Sequence, residues 1–348
     1  MSVLRFLLFP FAALYDLITA VRNRLYDRGY KPAVKFDVPV ISVGNLAVGG
    51  TGKTPLAEHL IRLLSPEFKI ATLSRGYGRR TKGFRIANEN DSAATIGDEP
   101  FQIYKKFGDQ VHVTVGEERA YAIPMLLQDH EDITAIILDD AYQHRSVIPG
   151  LSILLSEYQN PFYNDFLLPV GRLREAKSGA VRADVIVVTK CPDHLSDDEV
   201  MEIEGHIHAY AVKPVFFSKI RYADPVAFGH TQAEFSKNVI LVSAIANPHI
   251  LEEYVRKSFS LIRHFSFRDH YVITESDLND IEAVLKKQAG DACILTTEKD
   301  MVKLKRNELR EQVNRLPIFY LPIETEFIRN GKDFDTLVLS FMRSFKPD

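Results

Sequence analysis

The chain has 348 residues, 46% apolar and 26% charged, with a formal net charge of −3. That length and composition suit a folded protein of two domains, and the near-neutral charge excludes a general polyanion binder; no nucleic-acid partner is expected, so any grip on phosphates or anionic lipid must come from local basic clusters. Two solitary cysteines, Cys191 and Cys293, exclude a disulfide scaffold or a paired-cysteine metal site and fit a reducing compartment.

The first run, Val3 to Val21, is strongly apolar but is interrupted by Arg5, Pro10 and Asp16 and ends among Arg22, Arg24 and Arg28. A spanning helix needs about 20 apolar residues with few charges, and no small-residue cleavage site follows as a secretory signal would require. Apolar residues beside basic ones suit a helix lying in the lipid interface. The alternative is a core helix, and spanning against lying on the membrane stays open. Residues 1–30 are taken as this membrane-associated helix, and a chain starting near Asp27 is expected to leave the membrane yet keep ATP binding.

Next comes a strand at Val38 to Leu46, a glycine-rich turn, and a helix at Thr54 to Leu64. A strand at Lys69 to Gly76 leads into a basic loop up to Gly83. A helix near Pro100 to Phe107, a strand at Val111 to Gly116 and a helix around Glu117 to Leu127 follow. Apolar strands are expected at Ile133 to Asp140, Leu151 to Glu157 and Ala183 to Lys190. Continuous rather than alternating apolar runs mark strands buried on both faces of a parallel sheet. Their alternation with helices predicts a doubly wound, mainly parallel α/β domain over 31–191. A smaller α/β domain is expected over 192–348. It would hold extended chain at Val215 to Phe228, strand-turn-helix patterns at Asn238 to Pro248 and Ala292 to Leu304, a last strand at Pro317 to Phe327 and a terminal helix, and would contribute to the active-site cleft.

The sharpest signal is Gly49-Gly50-Thr51-Gly52-Lys53-Thr54, between an apolar strand and a helix. That is the context a phosphate-binding loop requires. Its glycines turn backbone N–H groups toward phosphate oxygens, Lys53 is suited to the β and γ phosphates of ATP, and Thr54 offers a hydroxyl to Mg²⁺. Ala47 stands where the usual pattern opens with glycine. A second acid for Mg²⁺ is expected at the end of a neighbouring strand, and Asp139-Asp140 supply a pair there; which of the two ligates the ion stays open.

A guanine-reading segment would need an acid two residues after Lys190, but Asp193 comes one later; a partitioning ATPase would carry lysine where Val48 stands. A small-molecule or lipid kinase is the class whose requirements are met. The stretches VGNLAVGGTGKTP, LSRGYGR, GDEP, LDDAYQHR, LPVGRLRE, VVTK, FRDHY and LTTEKD together resemble the tetraacyldisaccharide 4'-kinase family of the lipid A pathway, in the family's order and over most of the chain. The resemblance implies a larger nucleotide-binding domain, a smaller α/β domain and an N-terminal membrane helix. The implied reaction is phosphorylation by ATP of the 4'-hydroxyl of an acylated disaccharide 1-phosphate, at the cytoplasmic face of the bacterial inner membrane.

By the same resemblance Asp98 is the base that accepts the hydroxyl proton, His270 pairs with it, and His144 is a site residue. On its own sequence, Asp98 equally reads as a cap for the helix that Glu99 and Pro100 open. In GRLRE, Glu175 is suited to hold Mg²⁺ or a water bound to it, and Arg174 or Arg172 to meet phosphate oxygens. Arg75, Arg79, Arg80 and Lys82 make a basic loop, in which Arg75 is the best candidate to grip an anionic headgroup. Tyr77, Tyr142 and Tyr271 receive no role, and Glu298, Lys299 and Asp300 have no physical account from sequence.

Overall fold

The computed structural model describes residues 3–228, 233–245, 247–269, 271–288, 291–304 and 309–347, with side chains described from Leu7 onward. In chain order come α1 (Val3–Asp27), β1 (Val40–Asn45), α2 (Lys53–Leu64), β2 (Ile70–Ser74), β3 (Arg85–Ile86), α3 (Ala93–Ile96), α4 (Asp98–Phe107), β4 (Val111–Val115), α5 (Arg119–Asp129), β5 (Ala135–Asp139), β6 (Leu151–Glu157), β7 (Val185–Thr189) and α6 (Asp197–His208). They are followed by β8 (Val215–Tyr222), β9 (Val226–Ala227), β10 (Asn238–Ser243), α7 (His249–Ser258), β11 (Ser260–Ser266), α8 (Glu275–Lys286), β12 (Cys293–Thr297), α9 (Glu298–Leu304), α10 (Arg310–Arg315), β13 (Ile318–Leu321), β14 (Ile323–Arg329) and α11 (Gly331–Ser344).

Nine strands form the larger sheet, in the order β14-β8-β7-β6-β1-β5-β2-β4-β3. It is parallel from β8 to β4, with β14 and β3 antiparallel at its edges. The central strands β1, β5, β6 and β7 are buried at every position, which is why they read as unbroken apolar runs. One face is closed by Leu56, Leu60 and Ile61 of α2 with Phe334, Val338 and Met342 of α11. The other is closed by Ala122, Ile123 and Leu126 of α5 and by Val200 and Ile207 of α6. The smaller sheet runs β11-β10-β12-β13-β9, with only β9 antiparallel.

The sheets do not follow the division expected near residue 192. Strand β8 pairs with β7, and β14 and α11 return to the larger lobe. The segment Pro317 to Phe327, expected as one strand, is two strands in different sheets. Pro322 lies between them, and a residue without an N–H ends a ladder. The chain therefore crosses between lobes twice, after Tyr222 and at Pro322. Helix α4 serves both cores, with Ile103 and Phe107 in the larger and Phe101 in the smaller.

Two features of this topology place the site. Strand β1 lies beside β5 in the register Val43↔Asp139, so the turn leaving β1 and the acids leaving β5 open at the same carboxyl edge. Successive crossovers diverge there to either side of β1, which is where open α/β sheets bind ligands.

Candidate active site

The loop between β1 and α2 is shaped by two left-handed glycines, Gly49 at φ 115° and Gly52 at φ 85°, the latter being the residue before the first turn of α2. Only glycine enters these conformations without steric cost. The loop is pinned from behind. Val48 N–H donates to the Arg172 carbonyl at 2.8 Å, and Arg174 N–H to the Leu46 carbonyl at 2.7 Å. Thr189 Oγ1 donates to the Thr51 carbonyl at 2.8 Å. Asn45 Nδ2 donates to Thr51 Oγ1 at 2.9 Å. Lys53 is nearly enclosed, with Nζ 3.5 Å from Asn45 Oδ1 and from the Gly49 carbonyl and 3.6 Å from Asp140 Oδ1. Its ammonium is thus held in the loop's mouth, and Thr54 is half-buried one residue on.

The two acids have opposite environments. Asp139 is 2% exposed and its Oδ1 has no hydrogen-bond partner among the described residues. Burial first, then the carboxylates of Glu99 and Asp140, push its carboxyl group well above the usual range, against the pull of Lys53. An orphaned buried oxygen on a destabilised anion is what a divalent cation would satisfy, so this position fits Mg²⁺. Asp140, in a left-handed conformation at φ 49°, is engaged by Lys53 and by Arg174 Nη1 at 3.1 Å. Burial acts to raise its carboxyl group, but Lys53 and Arg174 outweigh it and hold it below the usual value.

Glu175 is enclosed and fully engaged. Gln143 Nε2 and Arg182 Nη2 donate to Oε1 at 2.9 and 2.8 Å, and Asn23 Nδ2 donates to Oε2 at 2.9 Å. Both Glu175 oxygens are therefore taken, whereas Asp139 keeps one buried oxygen without a partner among the described residues. Arg172 is committed to Asp165 Oδ2 at 2.9 Å and to the Asn160 carbonyl at 3.2 Å. It braces the loop's backing segment.

The basic loop after β2 divides in the same way. The Arg79 side chain is enclosed, donating to Glu117 Oε1 at 2.5 Å and to the Gly83 carbonyl at 2.6 Å, whereas Arg75, Arg80 and Lys82 are exposed. Gly76 and Gly97 weld this loop to the start of α4: a Cβ on Gly76 would lie 2.7 Å from the Ile96 carbonyl, and one on Gly97 2.9 Å from the Tyr77 carbonyl. Asp98 is therefore set beside Arg75 to Tyr77. It is the first helical residue of α4, after Gly97, and no side chain caps that end. Its carboxylate still benefits from the helix dipole. His270 lies outside the described residues. Its neighbours Phe267 and Tyr271 stack on one another at 4.7 Å and pack against the cluster containing Ile96 and Phe101, which flank Asp98 in sequence. His144 feels burial first and then Arg119 and Arg75, which together push its imidazole down to about 4; it is neutral at pH 7.

Helix α1 docks on this site. Tyr15 Oη donates to the Arg174 carbonyl at 2.9 Å and Arg22 Nη2 to the Gln143 carbonyl at 2.6 Å. Arg145 pairs with Asp27 at 2.6 Å. The opposite face exposes Leu7, Phe11, Leu14, Ile18 and Val21, at helical spacings of three and four. Among the described residues no helix is long and apolar enough to cross a membrane. The expectation that a chain lacking α1 keeps its nucleotide site intact does not fit this docking, because Glu175, Gln143 and Arg174 would each lose a donor.

The family model described as Tetraacyldisaccharide-1-P 4'-kinase matches residues 4–343. The chain belongs to the tetraacyldisaccharide 4'-kinase family. Two similar curated relatives are the tetraacyldisaccharide 4'-kinases of Flavobacterium johnsoniae, 44% identical with 99% of this chain and 98% of the relative covered, and of Phocaeicola vulgatus, 38% identical with 97% and 94% covered. Among solved structures, LpxK from Aquifex aeolicus in complex with ATP superposes with a TM-score of 0.75 at 29% identity, covering 98% of this chain and 100% of that one.

Several residues of the site carry roles that the sequence motifs do not make legible. The largest omission is Arg119, fully buried at the start of α5, with Nη1 on the Gly116 and Glu117 carbonyls at 2.7 and 3.1 Å. Its Nε and Nη2 have no partner among the described residues. Burial lowers its guanidinium to about 10 against the pull of Asp139 and Asp140, so its free donors belong to the same charge cluster. The only sequence signal was an arginine just after an apolar strand, in VGEER. Gln143, inside LDDAYQHR, joins Asn45 to Glu175. The LTTEKD stretch also acquires an account. Asp300 accepts from Ala244 N–H at 2.8 Å and Thr297 Oγ1 at 2.7 Å and pairs with Lys303 at 2.9 Å, which locks the turn from β12 into α9. Glu298 meets Lys106 of α4 at 3.1 Å, and Lys106 also meets Glu58 of α2 at 2.7 Å. That triad, two buried acids about a half-buried Lys106, joins the two lobes.

Proposed function

We propose that the chain transfers the γ-phosphate of ATP to the 4'-hydroxyl of a tetraacyl disaccharide 1-phosphate, a lipid A precursor, at the cytoplasmic face of the bacterial inner membrane. The observation that carries this reading is the convergence, at one carboxyl sheet edge, of the 49–54 loop, the orphaned oxygen of Asp139 and the α4 start bearing Asp98. Backbone N–H groups of Gly49 to Thr54 cradle the phosphates and Lys53 neutralises them. Thr54 and Asp139 would hold Mg²⁺, which would supply positive charge to offset that of the nucleotide phosphates. Asp140 keeps Lys53 and Arg174 aimed at the site. Arg119 and Arg75 supply cationic donors to phosphate oxygens.

Phosphoryl transfer passes through a loose transition state in which positioning outweighs covalent assistance. Asp98 therefore acts chiefly by orienting the acceptor hydroxyl and taking its proton as the new bond forms, with His270 as its partner. Neutral His144 adds no positive charge against Arg75 and Arg119. The exposed apolar stripe of α1, followed by exposed Arg24 and Arg28, rests in the lipid interface and brings the site to an acceptor that never leaves the bilayer.

The test is transfer of labelled γ-phosphate to purified tetraacyl disaccharide 1-phosphate in mixed micelles, beside an analogue lacking the 4'-hydroxyl. Label on the first lipid alone is expected. Hydrolysis of ATP without labelled lipid, or equal labelling of both lipids, overturns the assignment.

A further inference from the structure

The polar face of α1 and the phosphate loop are connected by a continuous line of hydrogen bonds that passes through three side chains and the backbone of Asn45. Asn23 Nδ2 donates to Glu175 Oε2 at 2.9 Å. The other oxygen of Glu175 accepts from Gln143 Nε2 at 2.9 Å. The same amide group of Gln143 donates to the Asn45 carbonyl at 2.9 Å. Asn45 then uses its side chain on the loop itself, giving Nδ2 to Thr51 Oγ1 at 2.9 Å and receiving Lys53 Nζ at 3.5 Å on Oδ1. Asn45, Thr51, Lys53 and Glu175 are buried, and Asn23 and Gln143 are half-buried, so water competes weakly for these bonds; the first two links orient side chains and the third anchors the Asn45 peptide from which the loop leaves β1. Gln143 is held in the required orientation because its Oε1 receives Arg174 Nη1 at 3.2 Å. Two donors on one end of an amide and an acceptor role at the other leave it one way round.

We infer that Asn23 is a positioning residue for the phosphate loop. Through Glu175, Gln143 and Asn45 it sets the orientation of Thr51 and Lys53, so the helix that faces lipid on one side is a wall of the nucleotide site on the other. The two duties fall on different faces of one rigid element: Leu7, Phe11, Leu14, Ile18 and Val21 are exposed, whereas Asn23 is half-buried against Glu175. A displacement of α1 at the membrane surface reaches Lys53 through four residues. The inference rests on the reading of the 49–54 loop as the nucleotide site.

The chemistry of Asn23 supplies a sharp test in the full-length chain. Asn23→Asp keeps the shape but replaces the donor by a carboxylate facing Glu175, whereas Asn23→Ala removes the donor and adds no charge. A hydrogen bond to a charged acceptor is among the stronger ones a protein makes. Part of its strength reaches the loop, so Asn23→Ala is expected to weaken ADP binding by titration calorimetry about threefold and Asn23→Asp about tenfold or more. Sedimentation with vesicles of anionic phospholipid should stay unchanged for both. A side chain that merely packs α1 onto the domain gives the reverse order, with the isosteric Asp close to the parent, Ala worse, and vesicle binding falling with stability; that result, or unchanged ADP affinity in both variants, overturns the inference. Lys53→Ala run alongside separates the two levels. If it leaves ADP affinity intact, the loop assignment itself fails and the inference with it; if it abolishes binding while Asn23→Asp does not weaken it, only the inference fails.

Discussion

Lys106→Met keeps an unbranched side chain of similar length and removes only the ammonium, so it isolates the charge that joins the lobes. Lys106 lies 2.7 Å from Glu58 and 3.1 Å from Glu298, whose side chains are 1% and 7% exposed. Taking one member from a buried ion pair costs about 3–5 kcal/mol, because the remaining charge stays desolvated. Glu58 retains Arg62 at 3.2 Å and Gln102 at 2.9 Å, whereas Glu298 loses its ion-pair partner, so the expected loss is about 2–4 kcal/mol. Burial, then Glu58, already hold the Glu298 carboxyl group above its usual value, with Lys106 opposing them. Without Lys106 it rises further. A carboxyl group raised in the folded state keeps its proton where the unfolded chain has released it, so its contribution to stability is present below about pH 4.5 and lost as pH climbs through the raised value. The deficit of Lys106→Met should therefore be largest at pH 8 and shrink toward pH 5. Urea unfolding of both proteins at the two pH values measures it. A variant as stable as the parent at pH 8, or a deficit that grows on acidification, would refute the reasoning.

Lys53→Ala should abolish lipid phosphorylation and ADP binding while leaving the unfolding free energy within about 1 kcal/mol of the parent, since the lost contacts are long ones; retained kcat in the labelled-phosphate assay contradicts the site. Asp139→Asn removes a buried carboxylate with one unpartnered oxygen, so without Mg²⁺ it should stabilise the fold by roughly 1–3 kcal/mol in urea unfolding, yet transfer should fall by orders of magnitude at every Mg²⁺ concentration. For His144, a folded value of about 4 against about 6.5 unfolded means only the unfolded chain takes up a proton in that window. Stability from this residue is complete above pH 6.5 and declines toward pH 4, by about 3 kcal/mol at most, and His144→Gln should flatten that slope. Gly52→Ala forces a Cβ into φ 85° and should cost about 1–2 kcal/mol, with a matching loss of ADP affinity by calorimetry.

The sequence alone settled what depends on local pattern. Unbroken apolar runs such as Leu151 to Glu157 declare strands covered on both faces, and a glycine turn ending in Gly52-Lys53-Thr54 declares a phosphate loop, because few other residues permit that backbone. Paired acids after a buried strand pointed to the neighbouring edge. Strand order, by contrast, depends on which runs come to lie side by side. Nothing local in Ile323–Arg329 says that it leaves the smaller lobe to pair with Val215–Tyr222, and the split at Pro322 hides inside one apolar run. The site divides along the same line. Asp139 and Asp140 are adjacent and chemically identical in sequence, and only the fold makes one a buried carboxylate with an orphaned oxygen and the other the partner of Lys53 and Arg174. Arg119 and Asn23 carry no motif of their own. Their roles arise because burial removes water from around Arg119 and because one face of α1 meets Glu175, and both are products of packing between segments far apart in the chain.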